Sequence, residues 1–164
     1  MVAQITLRRA RLADAGAIAA FVKAAGRAAE VDQGDVADRF GHVGFMLAER
    51  EGQMVGLLGW QVENLLVRVT DFLISPEVDV FATGKRLIET AEREGKELQA
   101  EAVLLFLPAA PSPKLVAYWD QLGYEALTSK DLPKPWRQAI QEGDRDAKGI
   151  MVKRLRHDIV RRPI

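Results

Sequence analysis

The chain has 164 residues, 48% of them apolar and 28% charged, with no cysteine. Lys plus Arg and Asp plus Glu both number 23. That length suits one domain, residues 1–164. The charge balance removes any global pull toward nucleic acid or a membrane surface. The missing thiol excludes disulfides, thiolate metal sites and cysteine nucleophiles.

Arg8, Arg9, Arg11 and Asp14 interrupt the N-terminal segment, so it does not read as a leader peptide. No 18-residue apolar run exists, and the expected location is the cytoplasm. Residues 5–10 open with period-2 alternation and predict a short strand. Asp14 is placed to cap a helix whose apolar residues Ala17, Ile18, Phe21, Val22 and Ala25 recur at helical spacing. Gly26 is its stop, and residues 28–39 hold a second short helix.

Residues 44–50 read as a strand, Glu51-Gly52-Gln53 as a turn, and 54–62 as the returning strand. Gly56 and Gly59 inside that strand invite a bulge or a close backbone approach. Residues 65–74 extend the meander and stop at Ser75-Pro76. A helix then opens near Thr83-Gly84 and runs to Gly95. Leu87, Ile88, Ala91 and Leu98 fall on its inner face; Lys85, Arg86, Glu89, Glu92 and Arg93 fall on its outer face.

Residues 101–107 are a near-continuous apolar strand, as at the centre of a sheet. Pro108, Pro111 and Pro113 mark a loop before a helix over 114–122, which Gly123 ends. Residues 124–127 and 149–155 read as strands. Between them lies a polar segment with a short helix over 136–141. The tail carries Lys153, Arg154, Arg156, Arg161 and Arg162, a solvated extension in one reading and a nucleic-acid or membrane contact in the other. The order is β-α-α-β-β-β-α-β-α-β-β, an α/β (α+β, mixed-sheet) domain.

Strand, small-residue turn and helix start is the arrangement that offers backbone N–H groups to an anion such as a diphosphate. Here it spans residues 75–87, with Ala82 and Gly84 as its small residues. His42 and His157 lack ligand-spaced partners, so no metal site is expected. No nucleotide-binding Gly-rich loop, nucleophile elbow or dinucleotide fingerprint is present. Asp71, between Thr70 and Phe72, is the candidate base: facing a cleft, its carboxyl would be desolvated and its pKa raised. Glu63 and Glu49 are alternatives.

Four segments together resemble the GNAT (GCN5-related N-acetyltransferase) family. Residues 7–18 are similar to its opening Arg-x-Ala strand end and Asp-Ala…Ile helix. Residues 48–56 are similar to its second hairpin. Tyr118-Trp119-Asp120-Gln121-Leu122-Gly123-Tyr124 is similar to the Tyr-x-x-x-Gly-Phe ending of its late helix, and Ile150-Met151-Val152-Lys153-Arg154-Leu155 to its last strand. The resemblance implies a splayed central sheet with acetyl-CoA as co-substrate.

Its acetyl-CoA loop, Gln/Arg-x-x-Gly-x-Gly/Ala, falls on residues 79–84. Gly84 matches, Ala82 replaces the first glycine, and Asp79 replaces the cationic or amide residue. By resemblance, Ala82, Thr83, Gly84 and Lys85 take the diphosphate. Asp79 repels it unless its carboxylate turns outward, and Lys85 and Arg86 supply compensating charge. The Ile74 backbone pairs with the pantetheine amides. Ser112 stands where the family often has an Asn on the pantetheine arm, and it also suits a helix cap.

The family's acidic Tyr position is Trp119 here, which leaves its neighbour Tyr118 as the candidate acid. The acceptor pocket would be built by residues 26–45 and 128–148, with Arg27, Glu30, Asp32, Asp35, Asp38, Trp136, Arg137 and Asp144. The acidic first segment favours a cationic amine. Two functions stand at this point. One is an acetyl-CoA-dependent N-acetyltransferase acting on a small amine or peptide amine by direct transfer, with a homodimer compatible with the family. The other is a catalytically degenerate GNAT-fold ligand-binding or structural dimer module.

Overall fold

The structure is a computed structural model that describes residues 4–26, 31–63, 65–107, 111–141 and 149–156. Seven strands and five α-helices among these residues give a mixed α+β fold, as the element order predicts. The chain divides into two compact units: Met1–Gln61 with Thr70–Thr90, and Val62–Val69 with Ala91–Ile164.

The first unit begins with β1 (Ile5–Arg9) and a 3-10 turn, Leu12–Asp14. Helix α1 (Ala15–Ala24) follows and buries Ala15, Ile18, Ala19 and Val22. Asp14 does not cap α1 with its side chain. Its carboxylate is drawn to Arg8, at 2.7 and 2.9 Å, and accepts the Arg11 N–H at 2.7 Å. A bidentate guanidinium outcompetes a neutral helix N–H for the same oxygens. Gly26 ends the helix at φ 70°, as its sequence position predicts.

Helix α2 (Gln33–Arg39) has the reciprocal cap of a capping box: the Asp35 N–H donates to Asp32, and the Asp32 N–H donates to Asp35, both at 2.9 Å. Strands β2 (Gly44–Arg50) and β3 (Gln53–Glu63) form the hairpin, antiparallel and with β1 on the other side of β2. Glu51 and Gly52 both have positive φ, at 52° and 77°, which suits a two-residue turn matched to strand twist. Ala48 faces Gly56 and Glu49 faces Met54, so Val55 is the extra residue of a bulge. The Val55 carbonyl accepts the Ser75 N–H at 2.8 Å just past β4 (Leu66–Ile74). Strand order in this unit is β1-β2-β3-β4. Its core joins α1, Val36, Val43, Phe45, Leu47 and Leu57.

Helix α3 (Val80–Glu97) begins three residues earlier than the sequence reading placed it. Asp79 is the reason. Its carboxylate accepts the Ala82 N–H at 2.9 Å, and its carbonyl accepts the Thr83 N–H at 3.0 Å. An aspartate is among the best N-cap residues, and it winds residues 80–83 into the helix.

In the second unit the β4 segment, β5 (Ala102–Leu107), β7 (Gly149–Arg154) and β6 (Glu125–Leu127) lie in that order. The parallel β4–β5 ladder covers Leu66–Arg68 against Ala102–Leu104. The β5–β7 and β6–β7 pairs are antiparallel. Helices α4 (Pro113–Gln121) and α5 (Lys134–Gln141) complete the unit. Leu66, Leu104, Leu132, Trp136, Ile150 and Val152 form its core. Ala91 is fully buried as predicted, as are Leu87 and Ile88 in the first unit, but Leu98 is 57% exposed, because α3 ends at Glu97. Glu92, expected on the wet face, is buried beside Tyr124 and Lys153.

Candidate functional site

In the first unit, Asp71 and the end of β4 stand over α1 and α2. Asp71 meets Arg39, the last residue of α2. One Arg39 nitrogen, Nη1, donates to Asp71 Oδ1 at 3.2 Å, and Nη2 donates to Oδ2 and to Thr70 Oγ1. The Thr70 hydroxyl donates to Asp71 Oδ2 at 2.7 Å. Phe45 lies beneath the guanidinium, 5.1 Å from ring centre to Cζ, and Phe40 packs on Phe45 at 5.1 Å. Gly59 makes room for the pair. A Cβ there would collide with the Asp71 carboxylate and lie 2.8 Å from Thr70 Oγ1. The close approach foreseen for the strand glycines is this one. Asp71 therefore faces a cation and a hydroxyl rather than an apolar cleft wall, which departs from the surroundings the sequence suggested for a base.

Past Asp71, Phe72–Pro76 face Phe21, Ala24 and Ala25 across a pocket of about 440 Å³. Ile74 is among its walls. The pocket exists because α1 presents two alanines at its end, and because Gly26 turns the chain away immediately afterwards.

The first turn of α3 carries the other predicted residues. Ala82, Thr83, Gly84 and Lys85 are helical. Thr83 is buried, and its N–H is spent on Asp79. Two arginines near this turn have partners elsewhere in the unit. Arg86 Nη1 donates to the Ile5 carbonyl at 2.6 Å, and Arg50 lies 3.9 Å from the Glu77 carboxylate. Arg86, expected together with Lys85 to compensate Asp79, is thus tethered to β1.

In the second unit, Ser112 caps α4: its hydroxyl accepts the Leu115 N–H at 3.1 Å. Tyr118 is half-buried and meets Trp119 edge-on at 5.6 Å. Trp119 is buried and packs edge-on against Tyr124 at 5.2 Å. Tyr124 donates to Glu92 at 3.1 Å, and Lys153 Nζ donates to the other Glu92 oxygen at 2.8 Å. Burial, and then the neighbouring Glu92 charge, push the Tyr124 hydroxyl far above the ordinary tyrosine range, so it stays a donor. Sequence reading missed this triad. Glu92, Tyr124 and Lys153 are 32 and 29 residues apart in the chain, and helical periodicity put Glu92 outside.

Glu49, an alternative base, is held by Arg8 Nε at 2.6 Å, and Glu63 lies 3.9 Å from Arg68. Asp32 and Asp35 serve the α2 cap, while Trp136 is core. Arg27, Glu30, Asp144 and His157 lie outside the described residues. Among the described residues no group of three or more His, Asp or Glu has the spacing of a metal site, and no helix is long and apolar enough to cross a membrane.

An acetyltransferase of the GNAT family from Staphylococcus aureus Mu50 superposes with a TM-score of 0.74 over 93% of this chain and 100% of its own, at 14% identity. The chain has the GNAT fold. The PaiA N-acetyltransferase of Thermoplasma acidophilum, solved with coenzyme A, matches this GNAT fold at TM-score 0.68 and 14% identity, over 92% and 99% of the two chains. The N-acetylglutamate synthase of Neisseria gonorrhoeae, solved with coenzyme A and N-acetyl-glutamate, matches at TM-score 0.70 and 17% identity. That match covers 96% of this chain but 36% of the synthase. No family model and no curated protein matches the sequence.

Proposed function

We propose that this chain is an acetyl-CoA-dependent N-acetyltransferase that transfers directly to a small amine or a peptide amine. The observation that carries the reading is the length of β4. Its ladder with β5 covers Leu66–Arg68, yet the strand runs on to Ile74 beside the pocket against α1. Backbone amides on that continuation suit the extended pantetheine arm of a thioester carrier, which pairs as a strand would. The fold neighbours solved with coenzyme A support the same ligand class.

The diphosphate half of the carrier fits less well. Asp79 caps α3 by accepting the Ala82 N–H, which sets its negative charge at the helix end where a diphosphate would bind. In this reading the affinity for acetyl-CoA comes chiefly from β4, and Asp79 opposes it. Tyr118 is the candidate acid, since Trp119 and Tyr124 are committed to packing and to Glu92. Asp71, paired with Arg39 and Thr70, is the candidate base. A soluble, cytoplasmic homodimer is the state we propose for the enzyme.

The Asp79 cap also favours a second reading, a GNAT-fold ligand-binding or structural module that has lost its coenzyme. Thermal shift separates the two. A ligand at 100 times its dissociation constant adds about 2.7 kcal/mol of stability. A shift with millimolar acetyl-CoA, followed by thiol release with an amine panel, supports the enzyme. No shift at that concentration leaves the module.

A further inference from the structure

We propose that the pocket between α1 and β4 receives an uncharged apolar body, an aryl or branched aliphatic group of the acceptor, and not a second cationic centre. The acceptor's role rests on the acetyltransferase reading; the binding preference of the pocket does not.

The described walls carry the argument. Phe21 and Phe72 supply ring surface, and Leu73, Ile74 and Pro76 supply aliphatic surface. Ala24 and Ala25 are small, so the space is not filled by the protein itself. The side-chain oxygen on this wall, Ser75 Oγ, accepts the Glu77 N–H at 3.3 Å, and the Ser75 N–H is spent on Val55. A volume of about 440 Å³ lies in the range of small-ligand sites. A cation entering among such walls would shed its hydration without a counter-charge, whereas an apolar group gains by leaving water.

Of the carboxylates that made a cationic acceptor attractive in the sequence, Asp32 and Asp35 cap each other's backbone. Asp71, next to Phe72 on β4, holds Arg39 and Thr70. None of the described residues lining the pocket is charged.

The test is binding without acetyl-CoA, read by amide NMR shifts of the whole chain. The probes are 2-phenylethanol and 1,6-diaminohexane. Saturable shifts at Phe72, Leu73, Ile74 and Ser75 with phenylethanol, and none with the diamine at the same concentration, are expected. Ala24→Trp and Ala25→Leu fill the space and are each expected to weaken phenylethanol at least tenfold. Ala24 and Ala25 are exposed, so these variants retain the core.

Equal or tighter binding of the diamine, absence of phenylethanol binding, or phenylethanol shifts that survive both filling variants would overturn the proposal. The two readings fail separately. Phenylethanol binding in a chain that ignores acetyl-CoA removes the transferase and leaves the pocket. Acetyl-CoA binding in a chain that ignores phenylethanol does the reverse.

Discussion

The carboxylate of Asp79 and the backbone N–H of Ala82 are joined at 2.9 Å across the first turn of α3. A residue of the chain thereby holds the position where a bound anion would be stabilised by the helix end. Asp79→Asn keeps a capping oxygen and removes the charge. A unit charge about 4 Å from a phosphate in a wet site is worth roughly 1 kcal/mol. Acetyl-CoA affinity should therefore rise about fivefold, less at high salt. Titration calorimetry at two salt concentrations measures both. An unchanged affinity would mean that the diphosphate lies away from α3.

Removing the cap altogether has a stability consequence. Asp79→Ala should cost about 1 kcal/mol in urea unfolding, while Asp79→Asn stays close to wild type. Equal losses in the two variants would show that the charge, and not the hydrogen bond, stabilises the helix.

Gly59 and Asp71 form a second coupled pair. Gly59→Ala places a methyl against the carboxylate, Thr70 Oγ1 and a Phe45 ring carbon. The expected destabilisation is about 1–3 kcal/mol. In an Asp71→Ala background the same change should cost at least 1 kcal/mol less, because the nearest colliding atom is gone. Additive losses in that cycle would place the strain at Thr70 or Phe45.

Arg8 holds the Asp14 carboxyl at about 2, well below its ordinary 3.8, chiefly through their hydrogen bonds. A lowered folded-state pKa means stability that is present above pH 4 and is lost as pH falls from about 4 toward 2. Arg8 is about a third exposed, so screening reduces the effect to about 1 kcal/mol. Asp14→Asn should lower stability at pH 7 by that amount and flatten its acid dependence, measured by unfolding between pH 2 and 7. A slope identical to wild type would contradict the assignment.

Buried Glu92 gives the last pair to break. Lys153→Met leaves its carboxylate with Tyr124 alone, and about 2 kcal/mol should be lost after allowance for the part-exposed lysine. Tyr124→Phe should cost about 1 kcal/mol. Adding Glu92→Gln to Lys153→Met should recover most of the first loss, since a neutral amide needs no counter-charge. Failure of that recovery would assign the loss to packing of the lysine stem.

Local signals made much of the fold legible. The β2–β3 hairpin follows from Glu51-Gly52, the end of α1 from Gly26, and the strand core of the second unit from residues 102–107. Gly59 announced a close approach that proved to be Asp71. Three errors share one cause, which is competition for a carboxylate. Asp14 has the position of a cap but goes to Arg8. Asp79 has the position of a loop charge but caps α3 and lengthens it. Glu92 has the spacing of a solvated residue but serves two residues about 30 positions or more away. Helical spacing reports which face a residue is on, not which partner reaches it. Asp71 illustrates the same limit, because nothing adjacent to it in the chain indicates Arg39.

Calorimetric titration of acetyl-CoA into the whole chain bears most directly on the proposed activity. The account predicts saturable binding, one acetyl-CoA per chain, with a dissociation constant at or below about 1 mM and tighter in Asp79→Asn. Absence of binding to both proteins at millimolar acetyl-CoA would contradict it.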